Sequence, residues 1–444
     1  MDLYPVFCRQ MRGLTPVHSL VVAFSGGLDS TVLLALAAQF AKERGINIRA
    51  VHIAHGLQDA AKDWPAHCAE VAAALGVACV TEAVQVVLGP RVSLEAAARE
   101  ARYQALGDAM QPNDILLTGH HLDDQAETLL LALKRGAGIK GLAAMPERKP
   151  FGCERKQNQQ WRPLLSCSRQ SLEAYATEQG LSWIEDPSNS DNNFDRNFLR
   201  NRILPTLLAQ WPSFNETLSR SAELCAEQLQ LAQEWAECDL PALLNEAGGL
   251  NIAGLTALSV ARRHNVLRHW LQQHNVHPSR AQLHAIWQEV ALARPDASPE
   301  VRLDASRICR YQGVLYVPQK AGQPIALLQL KAELWQDAGV GRLRLSWVEQ
   351  EADLIAELDI SQLQLSFNIS GLRAQPQGRA GSRPLKKLWQ EYAVPPWQRS
   401  QMPLLLQREN LVAIPGLFVS QAYVPKPDQA GWRIEWEVKP EGKP

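Results

Sequence analysis

The stretch VVAFSGGLDST, Val21 to Thr31, opens with four apolar residues and then packs two glycines, two serines and an aspartate into six positions. Val21–Phe24 reads as a buried strand, and Ser30–Phe40 (STVLLALAAQF) as an apolar helix. Ser25, Gly26, Gly27, Leu28 and Asp29 are then a strand-to-helix turn. Glycines let backbone approach a ligand, and a new helix directs unpaired N–H groups and its dipole at an anion. Phosphate suits such a turn. An ordinary tight turn would not need the bracketing serines, whose hydroxyls add donors.

The surrounding chain is long enough for two or three domains, at 444 residues. Its 45 basic and 46 acidic residues nearly cancel, so any nucleic-acid surface must be local. The eight cysteines form no CxxC pair and read as reduced thiols of a cytoplasmic protein. Residues 1–20 lack a basic start followed by an apolar core, and no apolar run is long enough for a bilayer, so neither a signal peptide nor a membrane partner is expected.

Strands and helices alternate through the first half. Strands are expected at Val17–Phe24, Ile46–Ile53, Val77–Val86 and Asp114–Thr118, with helices at 29–44, 60–75, 93–110 and 123–135. This pattern predicts an α/β fold with a parallel sheet and the ligand at the strands' carboxyl ends. Further helices are expected at 168–179 and 196–210, then a mostly helical stretch over 215–292, a hairpin at 301–318, and a mixed remainder with one helix, Pro384–Tyr392. The expected domains are 1–214 (catalytic), 215–320 (helical), 321–365 (linking) and 366–444 (small mixed α/β).

Two other nucleotide signatures are excluded or demoted. GxxxxGK[ST] is absent. GxGxxG occurs as Gly136–Gly141, but after a helix, so it reads as a helix C-cap and loop.

Ser25–Ser30 resembles the SGGxDS loop of the N-type ATP pyrophosphatases, which cleave ATP between its α and β phosphates and leave an adenylated intermediate. Three longer segments resemble the tRNA(Ile)-lysidine synthetase family within that superfamily: SLEAAAREARYQAL from Ser93, GHHLDDQAETLLLALKRG from Gly119, and WIEDPSNSDNNFDRNFLRNRILP from Trp183. SRPLKKLWQEYAVPPWQR, from Ser382, resembles that family's last domain. The resemblance covers nearly the whole chain. It implies an adenine nucleotide α-hydrolase-like catalytic domain. It also implies a ligase that joins the ε-amine of L-lysine to C2 of the wobble cytidine in an isoleucine tRNA with a CAU anticodon. ATP and Mg²⁺ are the implied cofactors, and a homodimer is left open.

The residue types suit that chemistry. Cytosine O2 leaves poorly, and adenylation makes C2 electrophilic while creating a better leaving group. The departing pyrophosphate needs N–H groups, hydroxyls and Mg²⁺. Ser25, Gly26, Gly27, Leu28 and Ser30 fit that cradle, and Asp29 is the metal-binding or cradle-fixing carboxylate. Stabilising a helix start alone would give Asp29 under about 1 kcal/mol. The second step needs a free amine, and a lysine ammonium has a pKa of about 10.4. Asp124 and Glu127 are three apart on one helix face, with His120 and His121 just before. Asp124 is assigned to the substrate ammonium and Glu127 to Mg²⁺ or ATP; either could be the base. Zinc is disfavoured, because adjacent histidines do not easily share one tetrahedral ion.

Guanidinium groups match phosphate oxygens in bidentate fashion. Arg99 and Arg102, with Tyr103, lie one turn apart, and Arg196, Arg200 and Arg202 follow an acidic–amide loop. The resemblance implies that one arginine from each cluster reaches ATP or the adenylate, and adds His52, Gly119 and His120 to the ATP site. Arg91 and Arg148 read as solvated surface, and Arg148–Arg162 as a basic, flexible loop that could touch the tRNA or merely link. Arg379, Arg383, Lys386 and Lys387, interleaved with Trp389, Tyr392 and Trp397, read as a tRNA-binding stripe with the aromatics mainly inside.

Three alternatives compete. A tRNA thiolase would need paired cysteines, and Cys153 and Cys167 are too far apart for that. A synthetase acting on a small metabolite would lack the basic C-terminal stripe. A non-catalytic RNA-binding module would have no use for an intact Ser25–Ser30, Asp124 and Glu127.

Overall fold

The computed structural model describes residues 2–14, 19–54, 63–85, 94–152, 156–294, 297, 299–303, 306–318 and 322–439. The chain divides into two compact units, Met1–Gln233 and Glu234–Pro444.

In the first unit, α1 (Leu3–Gln10) precedes β1 (Leu20–Ala23), α2 (Leu28–Arg44), β2 (Ile48–Ala54), α3 (Trp64–Ala74), β3 (Ala78–Ala83), α4 (Leu94–Ala109), β4 (Ile115–Leu117) and α5 (Leu122–Lys134). A short α6 (Ile139–Leu142), β5 (Arg148–Pro150), β6 (Gln159–Trp161) and α7 (Arg169–Glu178) follow. The sheet order is β3-β2-β1-β4-β6-β5, parallel except for β5. β1 pairs with β2 on one side and β4 on the other, so the strand order reverses there. Crevices at such reversals are where open α/β sheets bind ligands.

The two sheet faces carry separate cores. Leu33, Leu36 and Phe40 of α2 pack with Leu20, Val22 and Leu172 on one face, and Leu106 of α4 and Met110 just after it pack with Val21, Val51 and Leu116 on the other. The helix expected from 29 starts at Leu28 with Gly27 as its N-cap, which puts Asp29 in its first turn. Gly136, at φ 63°, ends α5, and the N–H of Ala137 returns to the carbonyl of Ala132. That is the C-cap expected of the GxGxxG segment.

The expected loop over 148–162 is instead the edge of the sheet. Arg148 pairs with Trp161 and Lys149 with Gln160. Arg148 is no free surface cation: its guanidinium lies 3.8 Å from the Trp161 ring centroid and donates to the carbonyls of Gln10 and Arg12. Arg91 and Cys153 lie outside the described residues; the described cysteines are free thiols.

In the second unit, helices Val260–Gln273 and Arg280–Ala285 pack Trp270, Leu271 and Leu283 against strands Leu250–Asn251, Glu300–Leu303, Ser306–Tyr311 and Val314–Tyr316. The expected hairpin is thus a three-stranded meander with a fourth strand added. Beyond it, Gly341–Val348 pairs along its whole length with Gly431–Val438, and Leu363–Ser366 pairs with Leu404–Gln407. Among the described residues, no helix is long and apolar enough to cross a membrane.

Candidate active site

The turn after β1 is built for close approach. Gly26 has φ +84°, and a Cβ there would stand 2.8 Å from Cδ1 of Ile184 and 2.9 Å from Sγ of Cys68. The backbone of Ile184 completes the turn, its N–H donating to Gly26 O at 2.8 Å. Ser30 Oγ donates to Gly27 O at 3.0 Å and lies 3.1 Å from Ser25 Oγ. Both hydroxyls therefore face the turn, as a phosphate cradle requires.

The end of β4 closes on the same turn. A Cβ on Gly119 would be 3.0 Å from the backbone carbon and oxygen of Asp29. Only a glycine lets the two segments meet this closely. His121, Asp123 and Asp124 follow at the start of α5, and Asp124 Oδ2 accepts from the His121 backbone N–H at 3.1 Å.

His121 is fully buried among three carboxylates. Its Nε2 is 3.6 Å from Asp29 Oδ2 and 3.6 Å from Asp124 Oδ2, and its Nδ1 is 3.3 Å from Asp123 Oδ2. Neither ring nitrogen makes a hydrogen bond of good geometry, so the contacts are ionic. Burial alone would push the imidazole pKa down; the Asp123 and Asp29 carboxylates and the Asp124 charge overcome it and raise it to about 10. His121 is therefore an internal cation. Sequence reasoning placed it beside the site but gave it no role.

Its neighbour His120 is the reverse case. Nδ1 lies 3.0 Å from Thr118 Oγ1, and burial pushes the pKa down to about 3, against Asp124 and with Arg162, Arg196 and Arg99. His120 is neutral at physiological pH.

Glu127 is fully buried under two arginines. Arg196 Nε donates to Oε2 at 2.7 Å and Arg200 Nε to Oε1 at 2.7 Å. Arg200 also donates to Asp124 Oδ1 at 3.0 Å. Burial raises the Asp124 pKa, but the charges of His121, Arg196 and Arg200 lower it further, so it stays ionised. Both arginines lie on one face of a helix that runs from Asp195 to Gln210 through a π-helical turn at Leu199–Ile203. Asp29 receives Arg169 Nη1 at 3.3 Å, while Asp123 accepts from the Arg169 N–H at 2.7 Å and from Asn215 at 2.5 Å.

Arg99 and Arg102 stand over Tyr103, at 5.2 and 5.7 Å from its ring centroid. His52 is buried behind β1, its Nδ1 2.9 Å from Phe24 O. In the second unit, Arg379 and Arg383 both pair with Glu391, the latter at 2.7 Å, whereas Lys386 and Lys387 are exposed. Trp389 is 1% exposed and belongs to the core, while Tyr392 and Trp397 are half-buried.

Asp123 and Arg169 were missed. Asp123 could have been found from the helix-start pattern HHLDD; Arg169 meets the site only through the fold.

Family comparisons agree with this architecture. A PP-loop domain model matches residues 6–207, a TilS substrate binding domain 250–316, and a TilS substrate C-terminal domain 363–436. A tRNA(Ile)-lysidine synthase of Vibrio cholerae is 43% identical over 95% of this chain and 95% of its own. One from Serratia proteamaculans is 44% identical over 96% and 98%. With relatives this similar along almost the full length of both chains, this chain belongs to the tRNA(Ile)-lysidine synthase family.

Proposed function

We propose that the protein ligates L-lysine to C2 of the wobble cytidine of an isoleucine tRNA with a CAU anticodon, using ATP. The observation that carries the reading is the junction of the Ser25–Ser30 turn with the Asp124–Glu127 face of α5 at one strand-order reversal.

In the first step, cytidine O2 attacks the α-phosphorus of ATP. The O2–P bond forms, the bond to the β-phosphate oxygen breaks, and pyrophosphate leaves. The backbone and hydroxyls of Ser25–Ser30 receive its charge. Asp29 is the carboxylate that fits Mg²⁺: part-exposed, oxygen-donating and beside the cradle, where the ion needs only one or two carboxylates plus phosphate oxygens. Mg²⁺ would supply charge neutralisation on the phosphates. Both oxygens of Glu127 are engaged by guanidiniums, so its part in this reading is to aim Arg196 and Arg200 at the adenylate.

In the second step, the lysine ε-amine attacks C2. The C2–N bond forms, the C2–O bond breaks, and AMP leaves. Asp124, held ionised, grips the incoming ammonium, its lowered pKa suiting an anionic grip better than proton removal. The ammonium gives up its proton to solvent before attack, and the departing AMP phosphate or solvent takes the one released as the C2–N bond forms. The reaction is assigned to the cytoplasm, in keeping with free thiols and the lack of a membrane-length helix among the described residues.

The test is to incubate the protein with bulk tRNA, labelled lysine, ATP and Mg²⁺. Label should enter RNA, with AMP and pyrophosphate in equal amounts. Release of ADP, or label remaining outside the RNA, would overturn the reading.

A further inference from the structure

Four cations gather around Tyr103 with no acid among them. Arg99 and Arg102 come from α4, Lys149 from β5, and Arg162 from just beyond β6. Lys149 Nζ lies 5.8 Å from the Tyr103 ring centroid, and Lys149 is paired with Gln160, whose amide donates to Tyr103 Oη at 3.4 Å. Among the described residues none of the four forms an ion pair.

Arg162 makes the cluster unusual. It is only 4% exposed, its Nη atoms donate to Pro146 O at 2.6 Å and Gln160 Oε1 at 3.1 Å, and its Nε has no hydrogen-bond partner among the described residues. A buried guanidinium without a carboxylate is costly, and three further cations beside it raise that cost. Their mutual repulsion holds Arg102, Lys149 and Arg162 below their ordinary pKa values, after burial as the larger cause. An anion placed on the exposed side relieves all four.

We propose that Lys149 and Arg162, with Arg99 and Arg102 at their edge, form a subsite for a backbone phosphate of the tRNA beside the reacting cytidine. This rests on the tRNA-ligase reading above. Arg99 and Arg162 also act on His120 beside the nucleotide cradle, so RNA is favoured over the ATP tail chiefly by the position of Lys149. The Ser25–Ser30 cradle leads into α2 on one sheet face, whereas Tyr103 packs with the α4 core on the other. Lys149 also lies beyond β4 and β6, at the sheet's edge. A polynucleotide carries a phosphate at every nucleotide and reaches both places at once.

Lys149 is exposed on an edge strand, so its replacement leaves the fold intact. Lys149→Ala should raise KM for an unmodified isoleucine-tRNA transcript about fivefold or more. It should also flatten log K against log salt by about 0.7, one single-stranded phosphate contact. Lys149→Glu should do more, and Lys149→Arg should restore both values, with KM for ATP and inhibition by pyrophosphate unchanged throughout. If KM for ATP or pyrophosphate inhibition shifts while the tRNA slope stays fixed, the subsite serves the nucleotide and the proposal is wrong. An unchanged slope and unchanged KM values would equally overturn it. A wild-type protein that binds the transcript but transfers no lysine would sink the ligase reading instead, and the salt slope would still test the subsite.

Discussion

Nε2 of His121 stands 3.6 Å from Oδ2 of Asp29, an ion pair that ties the first turn of α2 to the start of α5. Because Asp123 and Asp124 face the same imidazole, one buried cation separates three carboxylates. Removing one partner of a buried charge set typically costs about 3–5 kcal/mol. His121→Gln should therefore lower the denaturation midpoint strongly and reduce both adenylation and lysine transfer. A variant as stable and active as the wild type would show that the carboxylates need no central cation.

Asp29→Asn keeps the size of the side chain but removes the charge that meets Arg169 and His121. Adenylation should fall at least about a hundredfold, the scale of losing a charged group at a phosphoryl-transfer centre. Transcript affinity should stay within about twofold, since Asp29 is placed at the cradle. Filter binding and pyrophosphate release measure the two separately. A large loss of tRNA affinity in a folded variant would contradict the assignment.

Asp124→Asn separates the two steps. The adenylated tRNA should still form, while KM for lysine rises about tenfold or more, because the ammonium loses its charged partner. Normal lysine transfer would reduce Asp124 to a helix-start residue that accepts from the His121 N–H.

His120 gives a pH dependence with a definite sign. Its folded pKa of about 3 lies below the unfolded value of about 6.5, so the unfolded chain binds the proton more readily. The stability it contributes is present above about pH 6.5 and is lost as pH falls towards 3. Denaturant midpoints from pH 7 to 4 should decline less steeply in His120→Gln than in the wild type. Parallel curves would mean that the imidazole protonates freely.

Much of this site was legible because local spacing carries it. The SGGLDS turn and the DxxE pair each lie within one turn of chain, and His121 bridges Asp29 and Asp124 where β1 and β4 are neighbours. Arg196 and Arg200 were readable as a helix face, but their common target was not, since Glu127 lies 69 and 73 residues away. β5 and β6 read as loop in the sequence because Arg148–Pro150 and Gln159–Trp161 carry neither an apolar run like that of β4 nor an alternation of period two. What orders them is Arg148 stacked on Trp161, a contact between chain segments. For the same reason Lys149 and Arg162 read in the sequence only as members of a basic loop, able to touch the tRNA or merely to link.

The C-terminal stripe is best tested without truncation. A cut before residue 366 would strip Leu363–Ser366 of its partner Leu404–Gln407 and Gly341–Val348 of Gly431–Val438, exposing the core that Leu343, Leu345 and Leu365 share with Leu405 and Val412. Any loss of tRNA binding would then report unfolding. Point changes are cleaner, and the four cations are not equivalent. Arg379 and Arg383 share Glu391, so part of their charge is already compensated and their loss leaves that carboxylate unpaired. Lys386 and Lys387 are exposed and form no ion pair among the described residues. If they contact the tRNA backbone, replacing both by alanine should flatten the salt dependence by about 1.4 to 1.8, the value for two phosphates. KM for tRNA should rise with kcat at saturating tRNA little changed, because the contact is not to the reacting atoms. Affinities at several salt concentrations, for the wild type, Lys386→Ala/Lys387→Ala and Arg379→Ala/Arg383→Ala, decide it. Identical slopes in the lysine variant and the wild type would make this face an ordinary solvated one, and the RNA contacts would then have to lie elsewhere on the chain.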